Sequence, residues 1–274
     1  MTGLVAWLFA AALAAPGDVV LSDVVLSIVG TNDLHGHIES LPLLGGFVAN
    51  LRARRAADGG AVLLVDAGDL FQGTLESNLG EGAAVVDGYR VLGYTAAAVG
   101  NHEFDFGPAG PHPVPRKPGD DPRGALKARA ASAPFPFLLA NVRETASGRP
   151  FAAPNLRPST LVSAAGVKVG LVGVTTSRTA TSTLAANFAG LAVDPLAPAI
   201  EREARRLRSD GAQVVVVLAH AGASCRRFEA PEDTASCERD AEIFDVARAL
   251  PSGLVDAIIA GHTHGRVPHV GAGP

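Results

Sequence analysis

Residues 24–37 read VVLSIVGTNDLHGH, an apolar run rich in Val and Ile that ends in a cluster of Asn, Asp and His. The same arrangement recurs four more times: Ala61–Val65 before Asp66-Ala67-Gly68-Asp69, Thr95–Val99 before Gly100-Asn101-His102-Glu103-Phe104-Asp105, Gln213–Leu218 before Ala219-His220, and Leu254–Ile259 before Ala260-Gly261-His262-Thr263-His264. Such runs are typical of strands buried on both faces of a sheet. Because ligands bind beyond the carboxyl ends of strands in open α/β sheets, the five clusters can converge on one site.

Segments of helical composition lie between these runs: Phe47–Ala57, Glu81–Leu92, Pro122–Ala131, Pro195–Ser209 and Ala241–Leu250. Strands that alternate with helices indicate βαβ crossovers, so we predict a mixed α/β fold with mainly parallel pairing. Phe137–Val142 is predicted to be a further strand, and Leu161–Ala165 with Val167–Val174 an antiparallel hairpin. The Pro- and Gly-rich stretch Gly107–Gly124 is predicted to be a surface loop.

The composition indicates a globular protein and gives no sign of a nucleic-acid binder. The chain has 274 residues, of which 47% are hydrophobic and 18% charged, enough for one large α/β domain or two small ones. Aromatic residues make up only 5%, so we expect an aliphatic core. The formal net charge is −4 and no basic block is present, which argues against a nucleic-acid partner.

The amino terminus has the apolar stretch of a signal peptide. Leu4–Ala15 is too short to span a bilayer, and Ala12-Leu13-Ala14 supplies small residues at a cleavage site. However, the first Lys or Arg is Arg52, so a buried segment or a misplaced start codon is the alternative. We expect a signal peptide over residues 1–15, a catalytic domain over 22–274, periplasmic or secreted localisation, and no membrane span after removal of the signal.

The two cysteines, Cys225 and Cys237, lie in the polar segment that follows His220. In an exported protein they would close a short loop as a disulfide, whereas in the cytosol they would be free thiols. No His stands at a zinc-finger spacing from them, so we do not count them as metal ligands.

The polar clusters contain seven residues of metal-ligand type. They are Asp33, His35, Asp69, Asn101, His220, His262 and His264. This mixture of Asp, His and Asn without a thiolate suits Zn, Mn, Fe, Co or Mg. Seven ligands are too many for one tetrahedral ion and fit two divalent ions that share a bridging carboxylate.

Spacing supports this interpretation. Asp33 and His35 are two residues apart, and in an extended segment both would point toward one ion. His262 and His264 have the same spacing, and Gly68 allows a sharp turn before Asp69. Each motif alone would more often be a loop, a turn or a helix cap, so the argument rests on their joint occurrence at five strand ends.

The order Asn-Asp-Leu-His-Gly-His, Asp-Ala-Gly-Asp, Gly-Asn-His-Glu-Phe-Asp, Ala-His and Gly-His-Thr-His resembles the calcineurin-like metallophosphoesterases. Within that family it is similar to the secreted 5′-nucleotidase, UDP-sugar hydrolase and 2′,3′-cyclic phosphodiesterase branch. The resemblance covers residues 24–264 and implies a sandwich of two mixed sheets flanked by helices.

The resemblance also implies the roles of individual residues. One metal would be held by Asp33, His35, Asp69 and His264, and the other by Asp69, Asn101, His220 and His262, so that Asp69 bridges. His102 and Asp105 match the catalytic pair of the family. We expect Asp66 and Glu103 to orient turns and imidazoles behind the ligands, and His37 to support either the ligands from behind or a loop.

These features predict dinuclear hydrolysis of a small-molecule phosphate ester, of the nucleotide class, by in-line attack of metal-bound hydroxide. A hydrolase of sulfur esters such as thiosulfonates is one alternative, and a metal-binding fragment without turnover is another. The nucleotidase branch continues after its last His motif with the rest of the metal domain and a base-binding domain. We therefore expect a catalytic domain truncated at its carboxyl end, with little preference among nucleobases.

Overall fold

The computed structural model describes residues 23–230 and 232–267. The strands are β1 (Leu26–Thr31), β2 (Ala61–Asp66), β3 (Ala96–Ala98), β4 (Phe137–Leu138), β5 (Val142–Glu144), β6 (Leu156–Arg157), β7 (Ser159–Ala164), β8 (Val167–Thr175), β9 (Leu191–Val193), β10 (Val214–His220) and β11 (Ala257–Ala260). The helices are α1 (Leu41–Ala57), α2 (Leu75–Asn78), α3 (Ala83–Leu92), α4 (Gly124–Ser132), α5 (Ala185–Phe188), α6 (Leu196–Ser209) and α7 (Glu242–Ala249).

Two sheets form the centre of the domain. The first has five parallel strands in the order β1-β2-β3-β4-β6. The second has the order β11-β10-β8-β7, and only its β7–β8 pair is antiparallel. A short antiparallel pair, β5–β9, is separate from both. This architecture confirms the predicted mixed α/β sandwich of two sheets flanked by helices.

Three hydrophobic layers hold the sheets and helices together. The layer between the sheets is aliphatic, as predicted, and includes Val65, Leu171 and Val216, all fully buried. Helices α1, α3 and α4 cover the outer face of the first sheet, and α6 and α7 cover that of the second. Each fully buried Val or Leu contributes roughly 1.5–3 kcal/mol, so these layers fix the two sheets against each other.

The register of the strands brings the polar clusters to one edge of the sandwich. Thr31 pairs with Asp66 at the end of β1 and β2, and Ala219 pairs with Ala260 at the end of β10 and β11. Two backbone bonds continue this alignment into the loops, from Asp33 N to the Gly68 carbonyl (2.9 Å) and from His35 N to the Asp69 carbonyl (3.0 Å).

The hairpin prediction is confirmed, and one strand prediction is wrong. Ala165 and Gly166 both have positive φ, 47° and 81°, as a tight two-residue hairpin turn requires. The predicted strand Phe137–Val142 is instead divided into β4 and β5. The chain changes sheets between them, where Asn141 Nδ2 donates to the Thr175 carbonyl (2.7 Å) and Asn141 Oδ1 accepts from Thr175 N (2.9 Å).

Several element boundaries also differ from the prediction. Helix α1 begins at Leu41, not Phe47, and Pro42 suits its first turn. The helix continues through Gly45, where the lack of a side chain allows close packing, because a Cβ there would lie 2.8 Å from Leu92. Strand β11 begins at Ala257, three residues later than predicted, and β1 ends at Thr31, one residue later. The predicted signal peptide lies outside the described residues. None of the helices that the structure describes has the length and hydropathy to cross a membrane.

Candidate metal centre

Two clusters of ligand-type side chains lie side by side at this edge of the sandwich. The first cluster, which we call the outer group, consists of Asp33, His35 and His264. The second, which we call the inner group, consists of Asp69, His220 and His262, with Asn101 beside them. The structure thus brings together all seven candidate ligands, in the two sets that the family resemblance implied.

The outer group is open to solvent on one side. The His35 and His264 Nε2 atoms are 3.1 Å apart, and Asp33 Oδ1 lies 3.5 Å from His264 Nε2. The side chain of His264 is 61% exposed, whereas that of Asp33 is only 6% exposed. Burial is the main reason why the pKa of Asp33 is raised, and the negative charge of Asp69 adds to the effect.

The inner group is buried except for His262, which is half-buried. Asp69 Oδ2 and Asn101 Oδ1 each lie 3.0 Å from His220 Nε2, and the His220 side chain is 0% exposed. Asp69 Oδ2 is also 3.9 Å from His35 Nε2. One carboxylate oxygen therefore lies between the inner and outer groups, where a bridging ligand would be needed.

The hydrogen bonds of the imidazoles show that this donor set suits cations. His35 Nδ1 donates to the Gln72 carbonyl (2.7 Å), and His220 Nδ1 donates to the Ala67 carbonyl (2.9 Å). With the proton on Nδ1, a neutral imidazole presents a lone pair at Nε2, which is how metal-binding histidines are oriented. The lone pairs of both rings therefore face carboxylate oxygens, an arrangement that repels unless a positive charge lies between them.

The pKa values in the inner group reflect the same crowding of negative charge. Burial alone would lower the pKa of His220, but its bond to Asp69 and the charges of Asp69 and Asp33 raise it to about 9. Burial alone would raise the pKa of Asp69, but its bond to His220 and the charge of His220 lower it. In the absence of a metal, a proton on His220 thus supplies the positive charge that the carboxylates favour.

The backbone of the ligand loops is strained. Asp33, His35, Asp69, His262 and His264 all have φ between 47° and 75°, in the left-handed region. Such conformations cost about 1–3 kcal/mol each and cluster at functional sites. The prediction that Asp33 and His35 lie in an extended segment is therefore wrong. Their side chains come together because both residues have a left-handed backbone. His262 and His264 are divided between the two groups.

His102 lies beside both groups and belongs to neither. Its backbone N–H donates to Asp69 Oδ1 (2.9 Å), and its ring is 5.3 Å from that of His35. His102 Nδ1 is 2.5 Å from Asp105 Oδ2, and this bond raises the pKa of His102. His102 and Asp105 are thus paired as predicted.

Two buried carboxylates support the loop that carries Asp69. Glu103 accepts four backbone N–H bonds, from Asp69, Leu70, Phe71 and Gly100. Burial, aided by the charge of Asp69, raises the pKa of Glu103 to about 7. Because φ of Gly68 is 97° and a Cβ there would lie 2.9 Å from His220 Nδ1, only glycine fits before Asp69.

Asp66 is the second of these carboxylates. It accepts from Gly68 N (2.7 Å), from the Thr31 hydroxyl (2.6 Å) and from the Tyr89 hydroxyl (2.7 Å). Asp66 and Glu103 thus orient the Asp69 loop, as the sequence suggested. His37 is exposed and bonds to Glu39 Oε1 (2.7 Å), away from both groups.

Several contributors to the site have no signature in the sequence. The carbonyls of Ala67 and Gln72 orient imidazoles, and any residue could supply them. Segment 182–187 contacts Asn101 and Asp105 although it lies about 80 positions away in the chain. A cavity of about 1250 Å³ opens beside His262, and its lining includes Arg178 and Glu242.

The segment that carries His264 is tied to a disulfide. Cys225 and Cys237 are bonded, which is the alternative expected for an exported protein. Cys225 N donates to the Arg266 carbonyl (3.1 Å), and the Thr263 hydroxyl donates to the Ala223 carbonyl (3.0 Å). The disulfide is therefore joined by a backbone bond to the segment that carries His264.

The chain is similar in sequence to known proteins. The chain is 28% identical to protein UshA of Yersinia enterocolitica and to a 5′-nucleotidase of Vibrio cholerae, over 87% of this chain and 40% of each relative. The chain thus spans about 40% of the length of these curated relatives.

Solved structures show the same fold. The 5′-nucleotidase precursor from Thermus thermophilus aligns with a TM-score of 0.63 and 28% identity, over 91% of this chain and 45% of that one. The calcineurin-like phosphoesterase YfkN from Bacillus subtilis aligns with a TM-score of 0.64 and 23% identity, over 89% of this chain and 74% of that one. The calcineurin-like phosphoesterase profile matches residues 26–266. With its ligand clusters at the ends of five strands and this match over most of its length, the chain belongs to the calcineurin-like phosphoesterase family.

Proposed function

We propose that the chain hydrolyses phosphate esters with the help of two divalent metal ions and that its substrates are nucleotides. The observation that carries the proposal is the position of Asp69, whose Oδ2 lies 3.0 Å from His220 and 3.9 Å from His35. One carboxylate shared by two ligand groups suits a pair of ions. The relatives named 5′-nucleotidase support nucleotides as the substrate class.

Asp33, His35, Asp69 and His264 would hold one ion, and Asp69, Asn101, His220 and His262 the other. When bound, such ions neutralise charge on the phosphoryl oxygens and lower the pKa of water, which makes a nucleophile available near neutral pH. The donor set of nitrogen and oxygen atoms favours Zn, Mn, Fe, Co or Mg over soft metals.

The role of His102 follows from its hydrogen bond. Because Nδ1 is held by Asp105, Nε2 is the nitrogen that can reach a bound ester. Protonated His102 would stabilise the phosphoryl oxygens or donate a proton to the leaving oxygen, and Asp105 favours that protonated form. The rings of His35 and His264, with their centroids 5.0 Å apart, border the same open side of the site.

We also propose that the protein works in the periplasm or outside the cell. The disulfide between Cys225 and Cys237 supports an oxidising compartment, because such bonds are rare in the cytosol.

Phosphate release tests the proposed function. The oxidised chain would be loaded with Zn, Mn, Co or Mg and assayed with nitrophenyl phosphate and AMP, beside a sulfate ester and a thiosulfonate. We expect metal-dependent release of phosphate that is abolished in His220→Ala and retained in His112→Ala, which removes an exposed imidazole. Metal binding without release of phosphate would contradict the proposal, and selective cleavage of the sulfur compounds would favour the alternative chemistry.

A further inference from the structure

Residues 182–187, which we call the positioning segment, bond to both parts of the candidate site. Asn101 Nδ2 donates to the Ser182 carbonyl (2.9 Å). Asp105 Oδ1 accepts from the Thr183 hydroxyl (2.7 Å) and from Leu184 N (3.3 Å). Three consecutive residues, Ser182 to Leu184, therefore hold both the candidate metal ligand Asn101 and Asp105, the partner of His102.

The far end of the positioning segment is anchored in the core. Asn187 is fully buried, and its Nδ2 donates to the carbonyls of Phe104 and Pro113, both at 2.8 Å. Phe104 precedes Asp105 directly, so the anchor and the Thr183 hydroxyl act on the same turn. This arrangement restricts movement of the segment relative to the site.

The bond to Ser182 determines which way the Asn101 amide faces. A carboxamide has a donor side and an acceptor side. Because Nδ2 donates to the Ser182 carbonyl, Oδ1 points to the opposite side. Asn101 Oδ1 accordingly faces His220 Nε2 at 3.0 Å, inside the inner group. The reversed amide would present N–H groups to the inner group and could not serve as a ligand.

The bond to Thr183 determines how the Asp105 carboxylate is rotated. Asp105 Oδ2 is hydrogen-bonded to His102 Nδ1, and Asp105 Oδ1 accepts from the Thr183 hydroxyl. The two bonds together fix the plane of the carboxylate. We propose that Thr183 is a positioning residue that acts on His102 through Asp105; the inference rests on the proposed function. Its hydroxyl keeps Asp105 aligned with the imidazole and, among the described residues, bonds to Asp105 and to none of the candidate metal ligands.

Thr183 can be altered with little risk to the fold. The residue is half-buried in an irregular segment, and Val preserves its shape while removing only the hydroxyl. Thr181 is a matched control, because it is exposed, lies two residues earlier and donates only to the Arg178 carbonyl (2.9 Å).

The kinetic test compares Thr183→Val, Thr183→Ser and Thr181→Val in the metal-loaded full chain. We expect Thr183→Val to lower kcat about tenfold with KM within about twofold, because the imidazole is misaligned while ester binding is kept. Thr183→Ser should restore kcat to within about twofold, and Thr181→Val should match the unaltered chain. In an Asp105→Ala background, Thr183→Val should have no further effect, since the residue acts only through Asp105.

A second readout does not depend on activity. In the ¹⁵N-histidine-labelled full chain, the Nδ1–H proton of His102 should give a low-field signal, identified by its loss in His102→Ala. We expect Thr183→Val to shift or broaden this signal and Thr183→Ser and Thr181→Val to keep it. If the chain cleaves no phosphate ester, the proposed function fails and this signal alone tests the inference.

Three results would overturn the role of Thr183. The first is an unchanged His102 signal in Thr183→Val. The second is a kcat that falls equally in Thr183→Val and Thr183→Ser. The third is a similar decrease of the melting temperature in both Thr183→Val and Thr181→Val, which would indicate a structural role for the whole segment.

Discussion

The inner and outer groups contain the same kinds of side chain but differ in their surroundings. In the inner group, Asp69 and His220 are at most 2% exposed, and Asn101 is equally buried. In the outer group, the His264 side chain is 61% exposed. Coulombic attraction to a cation is stronger where water is excluded, so burial favours the inner group as the tighter site.

The groups also differ in what holds them. His220 ends strand β10, and Glu103 accepts three N–H bonds from the Asp69 loop and a fourth from Gly100, next to Asn101. In the outer group, the exposed His264 lies in a segment that also carries His262 of the inner group, and this segment is tied to the rest of the domain by Thr263 and by Cys225. A preorganised, buried site loses less entropy on binding, so we expect the inner ion to bind first and to leave last.

The largest effect should come from removing the residue that the two groups share. Asp69→Ala is expected to lose both ions, because Asp69 Oδ2 lies beside His220 as well as His35. Elemental analysis after dialysis should find about two ions in the unaltered chain and about none in the variant. Asp87→Ala, which removes a carboxylate that is 69% exposed, is the matched control. Two tightly held ions in Asp69→Ala would show that the carboxylate does not bridge.

His102→Ala should separate catalysis from metal binding. His102 touches the inner group only through its backbone N–H, so both ions should remain. Loss of a general acid or charge stabiliser lowers turnover by about 10²–10⁴-fold, and we expect a decrease of kcat in this range. Steady-state kinetics and metal content would be measured on the same preparation. Loss of metal together with activity would mean that His102 is a ligand.

His264→Ala and His262→Ala test the difference between the groups directly. We expect His264→Ala to retain about one ion, held by the buried side chains, and His262→Ala to weaken the site that binds first. Titration with Zn²⁺ followed by calorimetry would show the loss of the weaker binding event in His264→Ala and of the tighter one in His262→Ala. The inner and outer groups would not differ as proposed if both variants lost the same event.

The inner group and the strands that precede it could be predicted from the sequence because each depends on residues that are close together in the chain. Continuous apolar runs mark β2, β3 and β10, and the polar clusters with Asp69, Asn101 and His220 follow these runs directly. The ligand types and their assignment to two groups came from motif order and family resemblance, and the roles of these residues as ligands stay predictions.

What the sequence could not predict depends on contacts between distant segments. The division of residues 137–142 into two strands follows from the bonds of Asn141 to Thr175, 34 positions away. The left-handed backbone of Asp33 and His35 is stabilised by bonds to the Gly68 and Asp69 carbonyls, which no periodicity reveals. Thr183 likewise lies 78 positions from Asp105.

The smallest expected effect concerns Asp66, which lies beneath the inner group. Burial raises its pKa to about 7 from the ordinary 3.8, although the bonds from Thr31, Tyr89 and Gly68 act in the opposite direction. The folded chain therefore binds a proton at pH values where the unfolded chain has released it. This contribution to stability is fully present below about pH 4 and is lost as the pH rises through about 7.

Urea unfolding of the metal-free chain between pH 4 and 9 would measure this effect. The folded pKa of Glu103 is raised to about 7 and that of His220 to about 9, so both also lower stability as the pH rises. Asp66→Asn removes one titrating group while keeping a side chain of the same shape, so the difference between the two curves isolates Asp66. We expect the stability of the unaltered chain relative to Asp66→Asn to fall between pH 4 and 7, by at most about 1.4 kcal/mol per pH unit, and to level off above pH 7. Parallel curves would mean that the three donors keep Asp66 ionised in the folded chain and that the inner group rests on a permanent buried charge.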